Sequence, residues 1–338
     1  MKILIDVPPF APGLRSLQNI PEVKVECLNF PELEAPAREL DPARIADFDG
    51  LFCTFPPLNH ALMSRLQWIQ ISSTGYEQLI GQGFPARGIT CTNGSGCFDV
   101  PIAEWNIGMM IALTRNFRQL IRNQDGAIWD DSGMFQREMR GLTVGFWGYG
   151  GIARETARLA RQMGLQVHAL TRNGSRVRHD VYQMQGTGDP EGVMPHRLFK
   201  AGEELAFLAG LDFLVVCVPL TNATRGMIGE RELRALPSKA FVLNPARGPI
   251  IAEQALLQAL REKWIAGAAL DTHYYYPLPK DHPLWRFPNV VLTPHISGSG
   301  LSPHFEERLW EIFVENVGRR VRGEPLLNVL SPGALAGK

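Results

Sequence analysis

The sequence of 338 residues carries no net charge, because Lys+Arg and Asp+Glu both number 34. A chain without a dominant sign has no global attraction to nucleic acid or to an acidic membrane, so any basic site must be local. Cysteine is scarce. The five (Cys27, Cys53, Cys91, Cys97 and Cys217) form no CxxC pair and no Cys/His cluster at zinc spacing. That argues against a metal site and against a disulfide framework, and an odd, scattered set suits a reducing cytosol. No stretch approaches the ~18 apolar residues of a membrane helix. The opening "MKILIDVPPF" is broken by proline too early for a signal peptide. A cytoplasmic protein is expected.

What is present is an ordinary globular composition, 45% hydrophobic and 20% charged, at a length that suggests about two domains. "MKILIDV", "DGLFCTF" and "LQWIQISSTGYEQL" read as buried strands, so the first ~95 residues form a parallel α/β block. A long helix is expected from Pro101, with Asp99 as its cap and apolar positions running on to Ile121. A second α/β block follows, with strands at 142–147, 165–170, 212–218, 240–244, 265–270 and 289–292. Helices are expected at 151–163, 252–262 and about 303–322. The stretch 173–204, rich in Gly, Arg and Pro, is long for a connection and reads as a functional or mobile loop.

"VGFWGYGGIA" packs four glycines into ten residues directly after an apolar run. Gly148, Gly150 and Ala153 fit G-x-G-x-x-G/A between a strand and a helix, the context that a dinucleotide-binding turn requires. Gly148 allows the tight turn, and Gly150 lets backbone N–H groups approach a pyrophosphate at the helix N-terminus. Tyr149, Gly151 and Ile152 complete the turn. At the end of the next strand, where NAD-binding folds place an acid, "VHALTRN" offers Thr171 and Arg172, with Arg176 and Arg178 behind. Without a carboxylate to repel a 2′-phosphate, and with guanidinium groups to grip one, NADP is expected, with NAD as the alternative.

Two further strand ends draw attention. "FVLNPARGPI" places Arg247 where open α/β sheets bind ligands, as an anion-binding arginine beside a nicotinamide. "VVLTPHISGSG" places His295 as a proton donor. In order along nearly the whole chain, "STGYEQL", "PIAEWNIGMMIAL", "RGLTVGFWGYGGIA", "VVCVPLTNATRGMI", "LNPARGPIIAEQAL", "GAALDT", "PLPKDHPLWRFPNVVLTPHISG" and "GEPLLNVL" resemble the D-isomer-specific 2-hydroxyacid dehydrogenase family.

The resemblance implies two Rossmann-like domains with parallel sheets and a cleft between them. One is a flavodoxin-like substrate domain (1–98 and 297–338) and the other an NAD(P)-binding domain (99–296). It also implies a homodimer formed largely through the helix region after Pro101. By the same resemblance, Arg247 holds the carboxylate and 2-oxo oxygen of a small 2-oxo acid, and His295 protonates the forming alkoxide. The N–H groups of Gly75 and Tyr76 bind the carboxylate, while Pro219, Ala246 and Asp271 join the cofactor contacts.

The chain departs from the family pattern where a glutamate would pair with the histidine, since "DTHYYYPLP" puts Tyr276 there. A phenol can orient an imidazole but supplies no negative charge. His295 is therefore expected to titrate lower than in relatives, favouring reduction below neutral pH unless a carboxylate such as Glu104 compensates. Trp105 stands where the family often has histidine. With Tyr76, Tyr274 and Tyr275, an aromatic pocket is expected. The leading expectation is a 2-oxo acid reductase or D-2-hydroxyacid dehydrogenase. The alternatives are hydride transfer without proton transfer, as in formate dehydrogenase, or a cofactor-sensing protein with weak turnover. Phe98 falls where the formate branch carries asparagine, which counts against formate.

Overall fold

The structure, a computed structural model, describes residues 1–28, 36–133, 136–172 and 177–337. The chain divides into two compact units. One comprises Met1–Phe98, His179–Met184 and Gly300–Lys338; the other comprises Asp99–Arg178 and Gln185–Ser299. Against the boundaries expected from sequence, 297–299 stay with the second unit and His179–Met184 join the first. Tyr182 explains the latter. Its hydroxyl donates to Glu311 at 2.5 Å and its N–H to Asn328 Oδ1 at 3.1 Å.

In the first unit, β1 (Lys2–Asp6), β2 (Lys24–Cys27), β3 (Gly50–Cys53), β4 (Trp68–Ile71) and β5 (Thr90–Thr92) form a parallel sheet of order β2-β1-β3-β4-β5. β1, β3 and β4 are apolar almost throughout because both faces of the sheet are covered. One face packs Phe52 and Trp68 against Trp310 and Phe313 of the helix Pro303–Arg322, with Phe52 stacked on Phe313 at 4.1 Å. The other buries Leu4, Leu51, Ile69 and Phe84. Helices α1 (Ala11–Gln18) and α2 (Pro42–Ile45) connect the first strands.

The second unit begins with α3 (Asp99–Thr114) and α4 (Phe117–Asp125). The single long helix expected from sequence is thus two. Asn116, with φ +45°, turns the chain between them, and Asp99 belongs to the first turn of α3.

Seven parallel strands follow: β6 (Thr143–Trp147), β7 (Gln166–Thr171), β8 (Arg197–Lys200), β9 (Phe213–Val216), β10 (Phe241–Asn244), β11 (Gly267–Leu270) and β12 (Val290–Leu292). Their order is β12-β11-β10-β9-β6-β7-β8. Helices α5 (Gly151–Gln162), α6 (Glu204–Leu208), α7 (Glu230–Ala235) and α8 (Glu253–Arg261) complete this unit. The order reverses between β6 and β9, and ligands of such sheets bind beyond the strand carboxyl ends at that reversal. The glycine turn follows β6 directly.

The stretch read as a loop at 173–204 contains β8 and the start of α6. Its approach to β8 is pinned to α5. Tyr149 donates to Asp189 Oδ2 at 2.7 Å, the Arg154 guanidinium donates to the Asp189 carbonyl, and the Gly188 N–H donates to Glu155 at 2.5 Å. Asp189, Arg154 and Glu155 are all buried. Helical spacing on α5 puts Arg154 and Glu155 toward this connection, and their burial is tolerable because each finds partners. Among the described residues no helix is long and apolar enough to cross a membrane.

Candidate active site

The glycine turn is built for a close approach. Gly148 has φ +92°, and a Cβ there would lie 2.6 Å from the Cys217 carbonyl oxygen, so β6 and β9 exclude any other residue. Gly150 caps α5, and a Cβ on it would meet nothing within 4 Å. The N-terminus of α5 therefore faces open space on that side, as a pyrophosphate needs. Gly151 is small for a different reason, since an added Cβ would run into the Asp99 carboxylate at 1.8 Å. The Tyr149 side chain is turned into the protein. Its ring is buried, and burial followed by the hydrogen bond to Asp189 pushes its phenol far above the usual value. The Ile152 carbonyl accepts from Thr156 inside α5.

At the end of β7, Thr171 is half-buried and Arg172 is exposed. Arg176 lies outside the described residues. Arg178 is more enclosed: burial lowers its pKa, and the charge of Asp99 opposes that shift. Pro219 lies past β9, exposed, with its carbonyl accepting from Thr224 Oγ1 at 2.6 Å.

Three strand ends share one register. Asn244, Leu270 and Leu292 are aligned across β10, β11 and β12. Arg247, His273 and His295 each stand three residues further on. With strands about 4.8 Å apart, β10 and β12 are separated by about 10 Å at the row of Asn244 and Leu292.

Buried side chains fix each loop. Asn244 accepts from the Ala246 N–H at 3.1 Å and donates to the Arg247 carbonyl at 3.0 Å, shaping the turn that presents Arg247. The Arg247 guanidinium also donates to the Ala246 carbonyl at 2.8 Å. Gly248 then lets this turn sit against the next loop, because a Cβ would lie 2.5 Å from both the carbonyl carbon and oxygen of His273.

Asp271 is fully buried and organises the histidine loop. One carboxylate oxygen accepts from Thr293 Oγ1 (2.5 Å) and the Ile296 N–H (2.9 Å); the other accepts from the Ser297 N–H (3.1 Å) and Oγ (2.5 Å). The Asp271 carbonyl accepts from the His295 N–H at 2.8 Å. Held this way, His295 adopts φ +59°, a conformation that a non-glycine residue takes only when its surroundings impose it, and its ring is exposed. Trp105 Nε1 donates to Thr293 Oγ1 at 3.2 Å, tying α3 into the same frame.

The Tyr276 ring lies 5.5 Å from that of His295, tilted by 51°, while its hydroxyl accepts from the His273 N–H at 3.2 Å. Tyr274 and Tyr275 hydroxyls donate to the Ile251 carbonyl and to Glu253, so both phenols belong to the start of α8. Glu104 is exposed on α3. In the other unit, Phe98 stacks on Phe305 at 4.7 Å. Gly75 and Tyr76 follow β4 in a loop where Ser73 Oγ donates to the Gly75 carbonyl at 2.7 Å.

Asn244, Thr293 and Ser297 escaped the sequence reading, as did the buried trio Arg154, Glu155 and Asp189. Their only available signal was a polar side chain at a strand end or beside a glycine turn.

The model for the D-isomer specific 2-hydroxyacid dehydrogenase NAD binding domain matches residues 107–297. Glyoxylate reductase of Thermofilum pendens is 32% identical over 322 residues, covering 93% of this chain and 89% of that protein. The chain belongs to the D-isomer-specific 2-hydroxyacid dehydrogenase family. As a member it is a nicotinamide-dinucleotide-dependent oxidoreductase, and its second unit carries the family's NAD binding domain. Similarity extends to D-3-phosphoglycerate dehydrogenase of Methanocaldococcus jannaschii, 28% identical over 98% of this chain and 59% of that protein. Among solved structures, the family enzyme of Xanthobacter autotrophicus Py2 in complex with NADPH and MES shares the fold. Its TM-score is 0.77 at 24% identity, with 99% of each chain covered.

Proposed function

We propose that this dehydrogenase is an NADPH-preferring reductase of small 2-oxo acids, working in the cytoplasm as a homodimer. The observation that carries the reading is that Arg247 and His295 each stand three residues past strand ends, Asn244 and Leu292, that share one register through Leu270. Two loops on either side of β11 each bear one polar group, and each is set by its own buried anchor, Asn244 or Asp271. Relatives named glyoxylate reductase, including that of Thermofilum pendens, support the substrate class.

In this reading the Arg247 guanidinium holds the substrate carboxylate and the 2-oxo oxygen, fixing the carbonyl plane. The protonated His295 ring gives its proton to that oxygen as it becomes an alkoxide. The Tyr276 ring holds the imidazole in place without adding charge. NADPH, when bound, supplies the hydride. The N–H groups of the glycine turn (Gly148 to Ile152) would hold its pyrophosphate, Thr171, Arg172 and Arg176 its ribose phosphate, and Pro219 and Ala246 its nicotinamide end. Asp271, expected among these contacts, is fully buried with both carboxylate oxygens engaged by Thr293, Ile296 and Ser297, and serves the histidine loop instead. In the first unit, the N–H groups of Gly75 and Tyr76 are the proposed donors to the substrate carboxylate.

The dimer proposal draws on four large apolar side chains exposed within thirteen residues. Phe117, Ile121, Ile128 and Trp129 are 44%, 57%, 59% and 91% exposed on and after α4. The test of the activity is direct. NADPH or NADH is mixed with glyoxylate, hydroxypyruvate or phenylpyruvate and the loss of nicotinamide absorbance followed. Turnover at least tenfold faster with NADPH is expected for one of the three. Tight NADPH binding with no turnover of any would point to a cofactor sensor instead.

A further inference from the structure

We infer that Ser73, Gln78 and Asn93 are positioning residues for the substrate carboxylate, because Asn93 holds the Thr74 carbonyl and Ser73, itself set by Gln78, holds that of Gly75, which aims the N–H groups of Gly75 and Tyr76. The inference rests on the reading above that those two N–H groups bind the carboxylate.

The direction of the hydrogen bonds follows from elimination. Gln78 Nε2 lies 3.0 Å from the Thr54 carbonyl, which can only accept, so that end of the amide is its NH2. The same nitrogen lies 2.9 Å from Ser73 Oγ. Its second hydrogen therefore goes to that oxygen, and the Ser73 hydroxyl must direct its own proton elsewhere. The acceptor is the Gly75 carbonyl, 2.7 Å away. One turn of a side-chain amide thus sets one hydroxyl, which sets one peptide. Across a planar trans peptide, fixing the Gly75 C=O points the Tyr76 N–H the opposite way.

The preceding peptide is held in the same manner. Asn93 Nδ2 donates to the Thr74 carbonyl at 2.7 Å, which orients the Gly75 N–H. Asn93 is itself buried, and Asn328 Nδ2 donates to its carbonyl at 3.1 Å. Consecutive peptides of one loop therefore have their carbonyls held by two side chains, Ser73 and Asn93, with Gln78 setting the first, and their N–H groups point the opposite way. A loop needing only to close a turn has no use for this relay; a loop presenting two donors to an anion does.

The test reads carboxylate affinity directly. Oxamate, an unreactive amide shaped like a 2-oxo acid, is titrated into the protein–NADPH complex while nicotinamide fluorescence is followed. The variants are Ser73→Ala, Gln78→Met, their double, and Ser73→Thr, which keeps the hydroxyl. Each of the first two should weaken oxamate by about tenfold, the ratio that one neutral hydrogen bond supports. KM for the 2-oxo acid should rise in parallel, with kcat and NADPH affinity within twofold of wild type. The double variant should be no weaker than Ser73→Ala alone, since the glutamine acts only through the serine. Ser73→Thr should bind within threefold of wild type, which keeps the test usable if Ser73→Ala folds poorly.

Oxamate affinity unchanged in Ser73→Ala and Gln78→Met would overturn the inference and leave the carboxylate reading intact. Losses that multiply in the double variant would also overturn it. A wild-type complex that does not bind oxamate would overturn the reading and the inference together.

Discussion

The contact between the Arg247 turn and the loop after β11 can be tested at a single atom. In Gly248→Ala the new methyl would sit 2.5 Å from the His273 carbonyl carbon and oxygen and 2.9 Å from the Tyr274 nitrogen. An ordinary contact starts near 3.4 Å, so backbone on one side must yield by about 0.9 Å (3.4 − 2.5). No flexible side chain can absorb it, because all three atoms are main chain. Gly248 has no positive φ to confound the result, so the whole effect is steric. Overpacking of this kind costs about 1–3 kcal/mol of stability. A displacement near 1 Å between a substrate-holding group and its partners lowers turnover by about 100-fold. The assay is kcat/KM for the best 2-oxo acid beside thermal unfolding, with Gly210→Ala, where a Cβ meets nothing within 4 Å, as the control. Loss of about two orders of magnitude in kcat/KM with a modest fall in Tm is expected. Activity within threefold of wild type would refute the claim that this contact sets the site.

Other outcomes follow from the same frame. Asp271→Asn puts an amide NH2 against donors on one side of the carboxylate. Losing two charge-assisted bonds should cost about 3–6 kcal/mol across stability and activity, read from unfolding and kcat together. Arg172→Ala should raise KM for NADPH by about 10- to 150-fold, from a lost charge-assisted contact of about 1.5–3 kcal/mol, and leave NADH nearly unchanged; equal effects on both would refute the 2′-phosphate role. Tyr276→Glu supplies the missing charge, which favours the imidazolium form of His295. The fall in reduction rate as pH rises should then move to higher pH, and an unmoved pH–rate profile would show that residue 276 does not sense the histidine. Trp129→Asp should convert a dimer to a monomer in light scattering; an unchanged mass would place the interface elsewhere.

The sequence revealed what repeats a local rule. Apolar runs marked β1, β3, β4 and most of the second sheet, and the glycine turn announced itself through its flanking strand and helix. β2 and β5 were missed because they are short and carry polar residues such as Lys24, Glu26 and Thr90. The division between α3 and α4 was hidden because the apolar spacing runs on past Asn116, and only its backbone angle breaks the helix. β8 was hidden in a connection whose order comes from long-range partners, Asp189 with Tyr149 and Gly188 with Glu155. At the candidate site, Arg247 and His295 were legible as unusual residues at strand ends. Their frame was not, because Asp271 and Trp105 act through contacts that span 22 to 188 positions, and Asn244 shapes the Arg247 turn through two short local bonds that leave no distinctive pattern in the sequence.

The central claim is that Arg247 and His295 act on one carbonyl group. A double-mutant cycle on kcat/KM measures this most directly, with Arg247→Ala, His295→Ala and the pair assayed on the same 2-oxo acid with NADPH. Residues serving one transition state are strongly non-additive, so each single variant should lose about 1,000-fold or more and the pair little beyond that. Single variants that each keep a tenth of wild-type activity, or losses that simply multiply in the pair, would contradict it.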